Sequence, residues 1–175
     1  MSNCKYDIVL VPVNKDVAGD SQFIYNVRNH PAIRKNLINE SEIPISKHNQ
    51  YWSKLILSND VVLYKIEMMD PITHQFISVG YCDTKVIGDE MEFGWKILPD
   101  YQGLGLGRKA VEALLNANEG YIQIKGLTPS LTVFDDNFPA IKLYQSFGFE
   151  TVDQKKLKRL DGTIRVLLKM KLTSN

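Results

Sequence analysis

Histidine and cysteine are scarce in this chain. Of 175 residues, three are histidine and two are cysteine, Cys4 and Cys82, with no CxxC pair. That pattern rules against a zinc site, so no metal is expected, and it gives little support for a disulfide. Charge of one sign is lacking too: 21 Lys and Arg against 20 Asp and Glu leave a formal net charge of +1. A polyanion would find no basic footprint, so no nucleic-acid partner is expected. Apolar runs are no longer than a strand, and no membrane partner is expected. The opening Met1-Ser2-Asn3-Cys4-Lys5 lacks the apolar core of a secretory signal, which makes a cytoplasmic, thiol-reducing location the simplest expectation. Repeats, low-complexity tracts and linkers are also missing, so residues 1–175 are expected to form one domain. What is present, 44% hydrophobic and 23% charged residues, is the composition of a globular protein.

Local patterns give the element order. Tyr6 to Val13 reads as a strand, and Ser21 to Asn29 as a helix ended by His30-Pro31, since the residue before proline avoids helical geometry. A second helix starts near Ser46 with Tyr51, Trp52, Leu55 and Ile56 on one stripe. Val61 to Met68 and Gln75 to Tyr81 read as strands around an Asp70-Pro71 turn. In Glu90 to Leu98, Met91, Phe93, Trp95 and Ile97 alternate with Glu92, Gly94, Lys96 and Leu98. A helix follows the glycine cluster and is expected to stop at Asn118-Glu119-Gly120. Leu131 to Phe134 is a short strand. Asn137 then caps a helix with Pro139 in its first turn and Gly148 at its end. Asp161-Gly162 joins two alternating runs as a hairpin. Strands outnumber helices and cluster in hairpins, which predicts an α+β fold with a mixed, mostly antiparallel twisted sheet of six to seven strands and about four helices.

The chemistry concentrates in Gln102-Gly103-Leu104-Gly105-Leu106-Gly107, at a strand-to-helix junction. Glycines let several backbone N–H groups converge, and a helix N-terminus adds partial positive charge. Such a pocket suits a phosphate or pyrophosphate; a glycine turn without a ligand is equally compatible with the loop alone. No GxxxxGK[ST] can be placed here. Gly105-x-Gly107-x-x-Ala110 matches a dinucleotide fingerprint, but Pro99-Asp100-Tyr101-Gln102 separates it from the strand and too little chain follows for a second half.

Two blocks carry a family resemblance. Gln102 to Gly107 resembles the Q/R-x-x-G-x-G/A signature of the GCN5-related N-acetyltransferase (GNAT) superfamily, preceded by a similar strand and loop, Glu92-Phe93-Gly94-Trp95 and Leu98-Pro99-Asp100-Tyr101. Asn137-Phe138-Pro139-Ala140, Leu143-Tyr144 and Gly148-Phe149 resemble its N-x-x-A-x-x-L-Y-x-x-x-G-F segment. The likeness runs from about Ser78 to Glu150 and is loose before that. It implies a GNAT fold, acetyl-CoA as co-substrate and direct attack of a neutral amine on the thioester.

Residue by residue, the resemblance implies that Gln102, Gly103, Leu104, Gly105, Leu106, Gly107 and Arg108 hold the CoA pyrophosphate. Ile97 and Leu98, at a bulged strand end, would offer free backbone groups to the pantetheine arm. Asn137 matches a cofactor contact and is equally readable as a helix cap. Tyr144 matches the position of the acid that protonates the leaving thiolate and also contacts the cofactor, although it lies on an apolar stripe. Glu92 is the candidate base, with Gly94 beside it leaving space for substrate; a surface ion pair is its plain alternative. Cys82 is not expected to be a nucleophile, having no histidine beside it.

The acceptor is expected to be a small-molecule amine, and the enzyme a monomer or homodimer. The string Arg28-Asn29-His30-Pro31, with Arg34 and a helix bearing Trp52, resembles acetyltransferases acting on the amino group of nucleotide-linked sugars. On that likeness Arg28, Asn29, His30 and Trp52 are the substrate-binding candidates, Arg28 and Arg34 pairing with a diphosphate. Acetylation of protein N-termini, in the manner of ribosomal-protein enzymes, of lysine or of polyamines is the alternative within enzymes. A CoA-binding sensor without turnover is the alternative outside them.

Overall fold

The computed structural model describes residues 6–58 and 60–173. Cys4 lies outside them; Cys82 is a buried free thiol. Seven strands form one sheet in the order β1-β2-β3-β4-β5-β7-β6, comprising β1 (Ile8–Pro12), β2 (Val61–Met69), β3 (Phe76–Ile87), β4 (Glu90–Ile97), β5 (Thr128–Phe134), β6 (Phe149–Lys158) and β7 (Ile164–Leu172). All neighbours are antiparallel except β4 and β5. The helices are α1 (Ala18–Asn29), the short α2 (Pro31–Arg34), α3 (Ile45–Leu57), α4 (Leu106–Lys125) and α5 (Phe138–Gln145). This is the α+β architecture expected from the patterning.

Each face of the sheet buries an apolar stripe. Leu106, Ala110 and Leu114 of α4 pack with Ile66, Val79, Cys82, Met91 and Phe93. On the other side Ile24 and Val27 of α1 and Trp52 and Leu55 of α3 pack with Leu63 and Tyr81. Val79 and Tyr81 can serve opposite faces because the β2–β3 register shifts, with Ile66 opposite Gly80 but Glu67 opposite Ser78. The extra residue, Val79, turns the alternation over. Gly80 is required beside it, since a Cβ there would lie 2.1 Å from the Lys96 carbonyl oxygen.

Three expectations need correction. The strand expected over Gln75 to Tyr81 does not end at Tyr81 but runs on to Ile87, pairing with β4 from Gly80 to Ile87. The helix after the glycine loop does not stop at Asn118-Glu119-Gly120; it continues to Lys125 and ends at Gly126, whose φ is +61°. Asn118 is tolerated there because it is buried and its side-chain amide donates to the Leu114 carbonyl at 2.8 Å. The bulge expected at the end of β4 is also absent, since β3 and β4 pair without a register shift.

The feature that positions the site is a parting of strands. β4 and β5 pair only from Glu90, Met91 and Glu92 to Thr128, Pro129 and Ser130, after which the pairing ends. Below the parting, Glu90 ties the two halves of the sheet through Lys169 at 2.7 Å and Lys171 at 2.9 Å, both on β7.

Candidate active site

The parting of β4 and β5 opens a cleft of about 850 Å³. Its walls include β4 from Glu92 to Ile97, the glycine loop, the first turn of α4, and Asn137 and Tyr144 of the α5 region. A 3₁₀ turn, Pro99–Tyr101, leads from β4 into the loop. Gly103 and Gly105 have φ of +78° and +80°, and Gly105 is the N-cap of α4. Glycine offers no capping side chain, and no acidic residue lies in the first turn. The leading N–H groups of α4 are therefore left to an outside acceptor, and the helix dipole favours an anion there. Gly103, Gly105, Leu106, Gly107, Arg108 and Gln102 all line this cleft, as the sequence predicts for a pyrophosphate cradle.

Two cofactor expectations change. Leu98 donates its N–H to the Val79 carbonyl at 2.9 Å, so that group belongs to the β3 ladder. By antiparallel alternation, Phe93, Trp95 and Ile97 turn their backbone groups towards the parting instead. The Ile97 carbonyl among them already accepts from the Gln102 side-chain amide at 2.8 Å. Gln102 thus seals the end of β4 and offers the open edge from Phe93 to Ile97. Leu104 does not line the cleft but packs with the α4 core cluster.

Asn137 caps α5, its side-chain oxygen accepting from the Ala140 N–H at 3.4 Å, and it also lines the cleft. Tyr144 packs between Trp95, tilted at 31°, and Phe149, edge-on at 63°, with ring centroids 5.6 and 6.2 Å away. Burial raises its pKa to about 12, with the nearby Lys96 opposing that rise. The phenol therefore stays protonated at neutral pH, and Tyr144 lines the cleft. Glu92 is half-buried on the cleft wall and has no ion-pair partner among the described residues. The space beside Gly94, however, is filled by protein. A Cβ on Gly94 would lie 2.8 Å from Lys96 Nζ and 3.0 Å from Asp83 Oδ1, so the absent side chain makes room for the Asp83–Lys96 ion pair. Burial acts to lower the pKa of Lys96, but Asp83 outweighs it and the ammonium is held above its ordinary range. Cys82 is no nucleophile: burial, aided by Asp83, pushes its thiol up to about 12.

Of the four acceptor candidates, Arg28 lines a second cavity, while Asn29, His30 and Trp52 line neither that one nor the cleft. Asn29 binds the Ile43 backbone with both ends of its amide, at 2.9 Å each. His30 caps α2 by accepting from the Ala32 N–H at 3.2 Å. Trp52 is 7% exposed and donates its indole N–H to the Lys15 carbonyl at 2.9 Å. All three are occupied with holding the fold. Arg34, expected beside Arg28, lines neither cavity.

The second cavity, of about 490 Å³, brings Arg28 together with residues that sequence reasoning missed. Arg28 of α1, Lys47, His48 and Tyr51 of α3, Tyr81 and Asp83 of β3, and Lys96 of β4 line it. Asp83, Lys96 and Leu37 line both cavities, so the two meet at the ion pair. Contributions from four separated segments leave no local signal in the sequence. Among the described residues no group of three or more His, Cys, Asp or Glu could hold a metal, and no helix is long and apolar enough to cross a membrane.

Comparison with known proteins agrees with this geometry. Residues 72–151 match the family model for the acetyltransferase (GNAT) domain. A segment of 50 residues is 42% identical to the spermine/spermidine N(1)-acetyltransferase of Bacillus subtilis (strain 168), covering 29% of this chain and about a third (32%) of that relative's length. Among solved structures, the spermidine N-acetyltransferase of Vibrio cholerae in complex with CoA and spermine superposes with a TM-score of 0.76 at 22% identity, over 97% of this chain and 95% of that one. A domain from Methanocaldococcus jannaschii gives 0.72 at 19% identity, over 96% and 100%. The chain therefore has the α+β fold of these solved structures, and its residues 72–151 match the model of the acetyltransferase (GNAT) domain.

Proposed function

We propose that this protein moves an acetyl group from acetyl-CoA to the primary amine of a small molecule by direct attack. The observation that carries the reading is the meeting of two cavities at Asp83 and Lys96. One has an uncapped helix N-terminus at Gly105 and an open β4 edge; the other is a side pocket of small-molecule size. The cradle fits the donor: N–H groups of the first α4 turn would take the pyrophosphate, and the Phe93–Ile97 edge would pair with an amide-bearing arm as an added strand does. When bound, acetyl-CoA supplies the activated acetyl group.

The chain's own residues must then manage protons. Attack needs the neutral amine, and cations near the acceptor lower its pKa by like-charge repulsion. Lys47 and Arg28 in the side pocket act in that direction, and Glu92, which lines the cleft, is the residue proposed as the base. Tyr144, held protonated, stabilises the departing sulfur by a hydrogen bond. With a pKa of about 12, well above the roughly 8.5 of an ordinary thiol, it shares its proton with the thiolate and is not fully deprotonated by it.

Acceptor identity divides two readings. The curated relative and the Vibrio cholerae structure are described as polyamine acetyltransferases, which makes a polyamine the acceptor supported by likeness. The amino sugar nucleotide has no counterpart among these relatives, and three of its four supporting residues, Asn29, His30 and Trp52, have structural duties. Free-thiol release from acetyl-CoA, measured across polyamines, amino sugars, amino acids and peptides, tests the proposal. Release with at least one amine is the expected result. Tight CoA binding with no release from any of them would instead support a CoA-binding sensor.

A further inference from the structure

We infer that the acceptor is an amine that also bears an anionic group, a carboxylate or a phosphate, received by Arg28 in the cavity between α1, α3 and β3. The inference rests on the acetyltransferase reading and adds the charge of the substrate to it. The charged groups lining this cavity are Arg28, Lys47 and Lys96 against the single carboxylate of Asp83. Asp83 is committed to Lys96, which leaves Arg28 and Lys47 uncompensated. His48 does not supply an anion, and burial lowers its pKa against an opposing hydrogen bond from Ser21, so it adds no charge at neutral pH.

Arg28 is the group with unspent hydrogen-bonding capacity. One terminal nitrogen, Nη2, donates to the Asn39 carbonyl at 2.6 Å. The other, Nη1, is buried and has no partner. Among the described residues no carboxylate forms an ion pair with it. Burial lowers the pKa of this guanidinium; Tyr81 opposes that and the neighbouring charge of Arg34 reinforces it. A buried donor without an acceptor is costly, and a guanidinium pairs best with a planar or tetrahedral oxyanion. A carboxylate or phosphate at Arg28 satisfies Nη1 and balances the local charge. A polyamine does neither, because each further ammonium group would need a free carboxylate and the cavity has none to offer. Since Asp83 and Lys96 line both cavities, an acceptor anchored at Arg28 has its other end directed to the boundary with the acetyl site.

Matched pairs of acceptors test this. Glucosamine 6-phosphate is compared with glucosamine, and phenylalanine with phenethylamine, so the phosphate and carboxylate arms are read separately; spermidine is the polycation. Thiol release gives kcat/KM, and calorimetric titration into the CoA-saturated protein gives binding whether or not turnover occurs. The anionic member of at least one pair should be favoured at least tenfold in kcat/KM and in affinity, and both should exceed spermidine. Arg28→Gln should shrink that preference to within about twofold, chiefly through KM. Lys47→Gln, on an exposed residue whose loss leaves the core untouched, should reduce it in part. Spermidine outperforming both anionic acceptors, or a preference surviving Arg28→Gln in folded protein, overturns the inference while leaving acetyl transfer standing. Loss of thiol release with every amine overturns the enzymatic reading, and the calorimetric preference then still decides the charge of the ligand.

Discussion

Tyr144 and Gly105 separate chemistry from cofactor binding at the level of single residues. Tyr144→Phe keeps the ring between Trp95 and Phe149 and removes only the hydroxyl. Turnover should fall roughly 10²-fold or more, with CoA affinity changed by less than about threefold; steady-state kinetics beside calorimetry reads both. Unchanged turnover would reduce Tyr144 to a packing residue. Gly105 has a φ of +80°, which a β-branched residue adopts only with strain. Gly105→Val should redirect the leading α4 N–H groups and abolish CoA binding by calorimetry, while circular dichroism stays near that of the parent. Retained binding would mean that another part of the cleft holds the pyrophosphate. At this scale the sequence was also most deceptive. Asn29, His30 and Trp52 have the chemistry of ligand contacts, and only their neighbours reveal an amide clasp, a helix cap and a core indole.

Among the elements, the segment between α2 and α3 controls both cavities, because Leu37 lines each of them. It is held from the far end of the sheet. Arg159, on the turn after β6, donates to the carbonyls of Lys35, Leu37 and Ile38 and pairs with Glu40 at 2.7 Å, with its own side chain 4% exposed. Arg165 of β7 adds a bond to Lys35. Arg159→Ala strips a buried charge from Glu40 and frees three carbonyls, a loss of about 3–5 kcal/mol. Urea denaturation should show that loss. In the folded variant the acceptor KM should rise more than the KM for acetyl-CoA, since the pyrophosphate cradle is built by the glycine loop and the first turn of α4, whereas Leu37, Asn39 and Ile43 of this segment wall the smaller cavity. Equal changes in both would argue against an acceptor role for the segment. None of this clamp is legible in the sequence, where Arg159 stands about 120 residues from its partners.

The whole molecule depends on the sheet staying joined where β4 and β5 part. Burial would raise the pKa of Glu90, but Lys169 and Lys171 pull it down to about 2, from an ordinary value of 4.5. A carboxylate with a depressed folded pKa binds fewer protons folded than unfolded. Its stabilisation is therefore complete above about pH 4.5 and is lost as pH falls towards 2. Glu90→Gln should lower Tm at pH 7 and flatten the dependence of Tm on pH across that window. A parallel pH profile in the variant would show that other carboxylates govern the acid limb.

The sequence by itself determined what depends on neighbours along the chain. The glycine loop, the strand before it and the Asn137 cap are each contiguous in the chain, so their backbone demands are written locally and point to the cleft they line. Periodicity likewise disclosed the α+β class, although Gly120 misled the end of α4 because a glycine on an exposed helix face is tolerated. Tertiary structure alone decided which side chains share a cavity. Arg28, Tyr51, Asp83 and Lys96 come from four elements whose separations carry no period, and the charge of the cavity they line exists only once the fold brings them together.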